Sequence, residues 1–472
     1  MLNSPHSQKQ STLRRRTTSV GRFSATSETS CNLSIPSFFI TLSGETPITY
    51  TSLSSLFNNR LLSNPQNHRL KSYIDSNINY FTEIENFTAA TVVKPTIHPV
   101  AAGRQEIFHI MNNYLTSPFN FGSTKPLWDC SISSGLTGSS KIISGAKLAD
   151  ALANNRTFES LIYFRAHHVV ADGVSLATAL CDLSDEAGLI KDDIKAEIRK
   201  RRLKKHSNII IKFCKKLMWF LCGSLKVGLS QLSMMLIQSP FSAVRSGATT
   251  HASASRERTL AFIDSITLSE ARMVAKRHNV TLNDLFTFCI SRALQKLIRE
   301  SRTLTMPKKL KFALPVHLYG GVTLPGQSMG NRIGAMAFAL DTGEEVSVQD
   351  VSKVLTVVKN SPSAILSFMG TKVISTLPNM FSCSIMSWVT TGTVCAISNV
   401  RGPPRQLHFE GRKVENVVGF LPPPPGVPIG VVISSFSDSV TLTVNAEKAA
   451  IENGNEFLSD VFIEYEKLRL HT

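Results

Sequence analysis

Residues 167–173, which read HHVVADG, constrain the fold of this chain more than any other stretch. The apolar residues before them, LIYF at 161–164, alternate between two faces, and this pattern predicts a buried strand. The stretch 174–180 after them, VSLATAL, predicts the start of a helix, and Asp-Gly is a frequent turn pair. The sequence therefore predicts a strand, a tight turn and a helix, with two histidines where the strand leaves the core.

Such a turn holds an imidazole rigidly in a cleft, which suits a general base that acts on a hydroxyl group. Neighbouring residues of a strand point to opposite faces, so only one histidine can face a given cavity. We assign His168 as the base and His167 as its support. We expect Asp172 to brace the loop, because a buried carboxylate needs a cationic or N–H partner, and Gly173 to supply a positive φ or room for substrate. A satisfied core histidine beside an ordinary turn is the alternative interpretation.

The composition limits the class of protein and of partner. A chain of 472 residues exceeds one ordinary hydrophobic core and predicts two domains. The net charge of +17 favours an anionic partner, for which nucleic acid, anionic lipid and a phosphate-bearing molecule qualify. The sequence carries no nucleic-acid-binding fingerprint, so we expect no nucleic-acid partner. The 8 cysteines have no metal-ligand spacing, which predicts reduced thiols in a cytosol-facing protein and no metal site.

The chain divides into four segments by composition. Residues 1–34 are rich in Ser, Thr and Arg without an apolar core, which predicts a disordered basic tail, with an organelle transit peptide as the alternative. Residues 35–190 predict a mixed α/β domain that contains the histidine motif. Residues 191–255 form a basic and then apolar crossover segment, and residues 256–472 predict a second α/β domain.

The crossover segment, residues 191–255, combines a basic run with a long apolar stretch. Lysines at 212, 215, 216 and 226 interrupt the apolar stretch too often for a clean membrane span of about twenty residues. Basic residues beside Trp, Phe, Leu and Met are typical of an amphipathic helix that lies in the membrane interface. The segment therefore predicts membrane association. Bilayer crossing and a helix packed between two domains are the alternatives.

Several blocks of sequence carry a resemblance to a known family. The HHxxxDG pattern is shared by the CoA-dependent acyltransferase superfamily. Five further blocks, in the same order along the chain, resemble those of the wax ester synthase/diacylglycerol acyltransferase (WS/DGAT) family: KPLWDCSI at 125–132, TLNDLFTFCISRAL at 281–294, MGNRIGAMAFAL at 329–340, ISNVRGPPRQLHFEGRKV at 397–414 and SSFSDSVTLTVNAEK at 434–448. The arrangement is most similar to the plant and algal branch. One departure is Arg401, where the family often has proline.

The resemblance implies a fold and an activity. The fold would be α/β, with two chloramphenicol-acetyltransferase-like mixed-sheet domains around a central channel. The activity would be transfer of a long-chain acyl group from acyl-CoA to a fatty alcohol, to diacylglycerol or to both, with no cofactor beyond acyl-CoA as co-substrate. The location would be the cytosolic face of the endoplasmic reticulum membrane, with a lipid droplet or another organelle as alternatives. A catalytically silent lipid- or membrane-binding protein is the competing hypothesis, and the intact histidine motif counts against it.

The resemblance also implies candidate residues outside the motif. Asn283 would position substrate, whereas its neighbour Asp284 is either a site residue or a helix cap. Ser398 and Asn399 match an S-N pair that would donate hydrogen bonds to a developing oxyanion. Asn331 matches a G-N pair for which the sequence gives no role. Three basic residues would meet either CoA phosphates or only water: Arg405, Arg412 and Lys413.

Overall fold

The computed structural model describes residues 14–28, 32–95, 104–134, 160–203, 209–241, 257–318, 329–403 and 405–470. Over these residues the strands are β1 (Arg14–Arg16), β2 (Ser37–Ser43), β3 (Ser72–Ile74), β4 (Tyr80–Glu83), β5 (Val93–Pro95), β6 (Trp128–Ser134), β7 (Ser160–Ala166), β8 (Arg258–Thr267), β9 (Lys309–His317), β10 (Ile333–Asp341), β11 (Thr393–Arg401), β12 (His408–Phe409), β13 (Arg412–Phe420), β14 (Ile429–Phe436) and β15 (Ser439–Glu447). The α-helices are α1 (Ser19–Thr26), α2 (Tyr50–Leu56), α3 (Arg104–Thr116), α4 (Gly173–Leu183), α5 (Ala187–Leu203), α6 (Ile209–Met235), α7 (Leu268–Arg277), α8 (Leu282–Glu300), α9 (Val348–Lys359), α10 (Ser363–Ile374), α11 (Asn379–Thr390) and α12 (Gly454–Leu470). Shorter helical turns span Phe57–Leu62, Pro65–Lys71 and Ala89–Thr91.

The first large sheet has the strand order β12-β13-β2-β7-β6-β5. Its central strands β2 and β7 pair antiparallel, and their apolar side chains are buried on both faces. On one face the rings of Trp128, Phe57 and Phe164 stack together, with the Trp128 centroid 5.6 Å from that of Phe57 and 5.5 Å from that of Phe164. This aromatic stack fixes β6 and β7 beside the helical turn that follows α2. The motif at the end of β7 therefore leaves a rigid core.

The second large sheet has the order β10-β9-β11-β14-β15-β8, and β11 runs parallel to both of its neighbours. Helices α8 and α12 pack together on one side of it, with Phe286 stacked on Tyr465. The two large sheets meet through a shared apolar cluster, in which Phe39 of β2 contacts Phe262 of β8 at a ring-centroid distance of 5.6 Å. The chain thus forms two mixed-sheet layers around one aromatic seam.

The predicted second domain, residues 256–472, does not coincide with the second sheet. Strands β12 and β13 come from that segment, yet β13 pairs antiparallel along β2 of the first sheet. The physical reason is that β2 would otherwise be an edge strand with unpaired backbone groups. Val414 and Val418 of β13 are fully buried there. The second half of the chain therefore completes the sheet of the first half.

The predicted disordered tail over residues 1–34 also differs from the structure where that stretch is described. Strand β1 pairs with β4, and α1 begins at a cap in which Thr18 accepts a hydrogen bond from the N–H of Gly21 over 3.1 Å. Val20 and Phe23 bury their side chains, and α1 packs against α10 and α11. The stretch is basic overall, but α1 carries a short apolar face, and this face packs against α10 and α11.

Within its described residues the crossover segment is helical over 191–203 and 209–235. Helix α5 runs across the predicted boundary at 190, and α6 follows it. The indole N–H of Trp219 donates to the carbonyl of Asn360 over 2.7 Å, and Gly223 lies against Pro362, so α6 is held beside α10. None of the helices in the described parts of the chain has the length and apolar content needed to cross a bilayer. The end of the crossover segment, from residue 242 onwards, lies outside the described residues.

Candidate active site

The histidine motif forms the predicted strand, turn and helix. Strand β7 ends at Ala166, and α4 begins at Gly173. Asp172 is the N-cap of α4, where its carboxylate Oδ1 accepts the N–H of Ser175 over 2.8 Å. The helix start and the turn are therefore fixed by the same carboxylate.

His168 has its ring orientation set by one side chain from the second half of the chain. The Asn331 amide nitrogen Nδ2 donates to the carbonyl oxygen of His168 over 2.8 Å. That bond turns the amide oxygen towards the ring, where Oδ1 lies 2.9 Å from Nδ1 of His168. Because an amide oxygen only accepts, the ring carries its proton on Nδ1. The other ring nitrogen, Nε2, is then an unprotonated acceptor, and no hydrogen bond among the described residues engages it.

The surroundings of His168 keep its ring neutral. Burial is the largest effect and lowers the pKa of His168 below its ordinary value, while the nearby Asp172 carboxylate and the bond to Asn331 partly oppose it. A neutral imidazole with a free Nε2 is the form that can accept a proton. The hydrogen bonds and the lowered pKa therefore both identify Nε2 of His168 as the nitrogen that can act as a base.

His167 carries the opposite tautomer. Its Nδ1 accepts the backbone N–H of Val169 over 3.0 Å, so the ring proton lies on Nε2. Nε2 in turn lies 2.9 Å from the carboxylate Oε1 of Glu28. The side chain is fully buried, and Phe121 packs edge-on against the ring. His167 is thus a bridge between the turn and the N-terminal segment and has no open nitrogen.

Asp172 joins the motif to the segment that precedes β10. Its Oδ2 accepts the backbone N–H of Arg332 over 2.8 Å, and its own N–H donates to the Gly330 carbonyl over 3.0 Å. Nε2 of His317 lies 4.0 Å from the same Oδ2. The carboxylate is fully buried and is surrounded by donors. All of these contacts brace the loop.

Arg69 is a buried cation beside the motif that sequence reasoning missed. Its guanidinium donates to the carbonyl of Val170 over 3.1 Å and lies over the ring of Phe81. Burial, followed by the charge of Arg332, lowers the pKa of Arg69 to about 10, and Asp172 opposes this shift. Its sequence context, NHRLK, offered no signal, because a basic residue in a polar stretch usually lies on the surface.

Gly173 differs in part from the prediction. Its φ is not positive, since it is already the first residue of α4. A Cβ built on it would meet only the Cγ2 of Val400, 4.0 Å away on β11. Ser398 lies two residues before Val400 and so shares its face of the strand. The room beside Gly173 therefore faces the same side of β11 as Ser398.

Asn399 and Asn283 lie on the other side of β11. The Asn399 amide nitrogen is 3.5 Å from the Asn283 oxygen, so these two predicted residues come together, apart from Ser398. Asp284 forms a capping box with Thr281 at the start of α8 and also accepts from Lys359 over 2.7 Å. Burial opposes its ionisation, but these hydrogen bonds keep the pKa of Asp284 below its ordinary value. Asp284 is therefore a helix cap, which was one of its two predicted roles.

The predicted phosphate-binding residues all have protein partners. Arg405 pairs with Asp193 of α5 at 2.6 Å, and Lys413 pairs with Glu415 at 3.0 Å. Arg412 donates to the Thr46 carbonyl over 2.7 Å. Within the described ranges, no group of three or more histidine, cysteine or carboxylate side chains is arranged to hold a metal ion.

Comparison with known proteins extends these observations. Residues 329–469 match the model of the WS/DGAT C-terminal domain family. The match covers roughly the last third of the chain and contains three of the five blocks that resemble that family, while the histidine motif lies outside it. No curated protein sequence matches the chain significantly.

The chain is similar in fold to several solved structures. A wax ester synthase/diacylglycerol acyltransferase from Marinobacter aquaeolei VT8 matches with a TM-score of 0.59 and 14% identity, over 97% of this chain and 99% of that one. A trichothecene 15-O-acetyltransferase from Fusarium sporotrichioides gives 0.58 and 11%, over 97% and 95%. The first condensation domain of the CDA synthetase gives 0.57 and 12%, over 97% of both chains. The prediction of an α/β fold with two chloramphenicol-acetyltransferase-like mixed-sheet domains is therefore confirmed.

We expect Asp172→Asn to lower the free energy of unfolding by about 2 kcal/mol, because an amide cannot accept at both ends from the N–H groups that face it. Urea denaturation followed by intrinsic fluorescence measures this loss. The control is Asp193→Asn, which removes the solvent-exposed pair with Arg405 and should leave the midpoint nearly unchanged. Equal midpoints for the two variants would contradict the bracing role.

Proposed function

We propose that this chain is an O-acyltransferase that moves an acyl group from acyl-CoA to a hydroxyl acceptor, with His168 as the general base. The observation that carries the proposal is the pair of hydrogen bonds between His168 and Asn331, at 2.9 and 2.8 Å. They leave Nε2 unprotonated, and burial keeps the ring neutral. The match of residues 329–469 to the WS/DGAT C-terminal domain supports the reaction class.

The chain's own residues suffice for the acid–base part of the reaction. Nε2 of His168 removes the proton of the acceptor hydroxyl as its oxygen attacks the thioester carbonyl carbon. The tetrahedral intermediate then collapses with cleavage of the C–S bond, and the CoA thiolate leaves and takes up the proton from the imidazolium. In this proposal Ser398 donates to the oxyanion, since it shares the strand face beside Gly173. Asn283 positions the acceptor in this proposal, and Asn399 supports it through the contact between their amides at 3.5 Å.

We further propose a long-chain acyl donor and a lipid acceptor, either a fatty alcohol or diacylglycerol. The name of the Marinobacter enzyme, a wax ester synthase/diacylglycerol acyltransferase, supports these two acceptors. Both acceptors reside in membranes. In the proposal the enzyme therefore works on the cytosolic face of the endoplasmic reticulum or on a lipid droplet, with acyl-CoA as the only co-substrate.

We expect purified protein to form ester from labelled palmitoyl-CoA with hexadecanol, dioleoylglycerol or both, and His168→Ala to lower the rate about a hundredfold or more. Thin-layer separation of the two products measures the acceptor preference. His408→Ala is the control, because it removes a histidine ring at the edge strand β12, where His408 pairs with Glu186. A folded but inactive wild type would favour the silent lipid-binding hypothesis.

The lowered pKa of His168 gives a pH dependence. Because the folded pKa of His168 lies below 6.5, its ring gains a proton only when the pH falls to that lower folded pKa. Above the folded pKa the ring is neutral and so competent as a base. We therefore expect the acid limb of kcat/KM to lie below pH 6.5, with the rate independent of pH just above it. The same sign applies to stability, which this group lowers as the pH falls below 6.5. An acid limb above pH 6.5 would refute the assignment.

The proposed membrane contact is the exposed stripe of α6 and the residue that follows it. Apolar side chains recur there every three or four positions and are 56–84% exposed: Met218, Leu221, Leu225, Leu229, Leu232 and Leu236. A monomer rarely leaves such a row in water. Residues 198–256 and 351–409 contain no acidic residue, so the stripe lies in a positive part of the sequence. An interface rich in anionic lipid fits both properties.

We expect wild-type protein to float with phosphatidylcholine vesicles that contain phosphatidylserine, and to be released in part by high salt. Leu225→Asp with Leu229→Asp should abolish flotation, because two charges would enter the apolar boundary. Met273→Asp is the control, since Met273 is 63% exposed on α7, away from the stripe. Unchanged flotation of the double variant would rule out α6 as the contact.

A further inference from the structure

The N-terminal segment, residues 14–28 and 32–36, lies directly against the histidine motif. Helix α1 approaches it at Gly21, where an added Cβ would lie 2.9 Å from the carbonyl oxygen of Val169 and 3.1 Å from Nδ2 of Asn331. Both distances are too short for a side chain without displacement of the neighbour. The helix therefore covers the turn and the amide that orients His168.

The end of the segment is hydrogen-bonded to the backbone of the motif. The N–H of His168 donates to the carbonyl of Ser34 over 2.7 Å, and the N–H of Ala166 donates to that of Pro36 over 3.2 Å. These bonds continue the pairing of β2 with β7 into the turn. The backbone of His168 is thus held by the N-terminal segment while its side chain is held by Asn331.

Glu28 connects α1 to the motif through a partly buried side chain. Its Oε1 lies 2.9 Å from Nε2 of His167 and also accepts the N–H of Ser34. The Glu28 side chain is 16% exposed and that of His167 is 1% exposed, so water does not replace this contact easily. Since His167 Nδ1 accepts from Val169, Glu28 is the partner that holds the remaining ring proton.

We propose that Glu28 is a positioning residue for the reaction, which acts through His167 on the turn that carries His168. The inference rests on the proposed function for its catalytic consequence, but its structural part does not. Loss of the carboxylate would leave a buried N–H of His167 without an acceptor and free the ring to rotate away from Val169. Small displacements of a catalytic group cost large factors in rate, because proton transfer needs hydrogen-bond distance.

The experiment compares Glu28→Ala, Glu28→Gln and Glu28→Asp in the full chain. We expect Glu28→Ala to lower kcat about tenfold or more while KM for acyl-CoA changes less than about twofold. Glu28→Gln keeps an acceptor oxygen and Glu28→Asp keeps the charge, so each should retain more activity than the alanine variant. Glu186→Gln is the matched control, because Glu186 holds His408 at 2.6 Å in a pair remote from the motif.

A double-mutant cycle separates positioning from a general effect on folding. If Glu28 acts through His167, adding Glu28→Ala to His167→Ala should lower kcat no further. A fall in the unfolding temperature of Glu28→Ala with an unchanged kcat per folded molecule would overturn the proposal. So would independent, multiplicative effects of the two substitutions.

A second readout does not depend on activity. Histidine-selective ¹⁵N labelling should show a ring with its proton on Nε2 that is absent in His167→Gln and is thereby assigned to His167, and that signal should be lost or shifted in Glu28→Ala. If wild type forms no ester, the proposed function fails and this measurement alone decides the contact. An unchanged His167 signal in Glu28→Ala would refute the contact itself.

Discussion

The two hydrogen bonds between Asn331 and His168 are the interaction on which the arrangement of the site depends. One amide uses its oxygen for the ring and its nitrogen for the carbonyl of the same histidine, so it fixes the side chain and the backbone together. Next to it, the N–H of Arg332 is bound by Asp172. His168, the proposed base, is therefore oriented by a segment that belongs to the second half of the chain, and the site exists only when both halves are folded.

The two adjacent histidines illustrate how neighbouring residues of one type acquire different chemistry. His168 has its proton on Nδ1 and an open Nε2, whereas His167 has its proton on Nε2 and no open nitrogen. The difference comes entirely from the acceptors and donors around each ring. A partly buried carboxylate, that of Glu28, lies against His167, and a neutral amide, that of Asn331, lies against His168, the proposed base. Because Asn331 is neutral, burial lowers the pKa of His168 against only one negative charge, that of Asp172. A carboxylate in place of the Asn331 amide would raise that pKa further.

Local features of this site could be predicted from the sequence, and distant ones could not. The strand, turn and helix around residues 167–173 follow from periodicity and turn chemistry, which are properties of neighbouring residues. Asn331 was noticed through its G-N pair but received no role, because nothing local says what its amide meets. Glu28 was visible as the only acid in the first 44 residues. The Ser-, Thr- and Arg-rich sequence around it, however, has no apolar core and therefore predicted disorder. Ser398 and Asn399 were grouped as neighbours, whereas strand alternation places them on opposite faces.

The return of β13 to the first sheet has a consequence for how this chain folds during synthesis. Strand β2 emerges early from the ribosome, but the partner along one of its edges, residues 412–420, emerges near the end. Until then β2 exposes an open row of backbone groups beside an apolar surface, which is a template for wrong pairing. The first sheet can close only after nearly the whole chain has been made. Nascent chains should therefore depend on chaperones, and a cut in the crossover segment should yield fragments that fold by complementing each other and not separately.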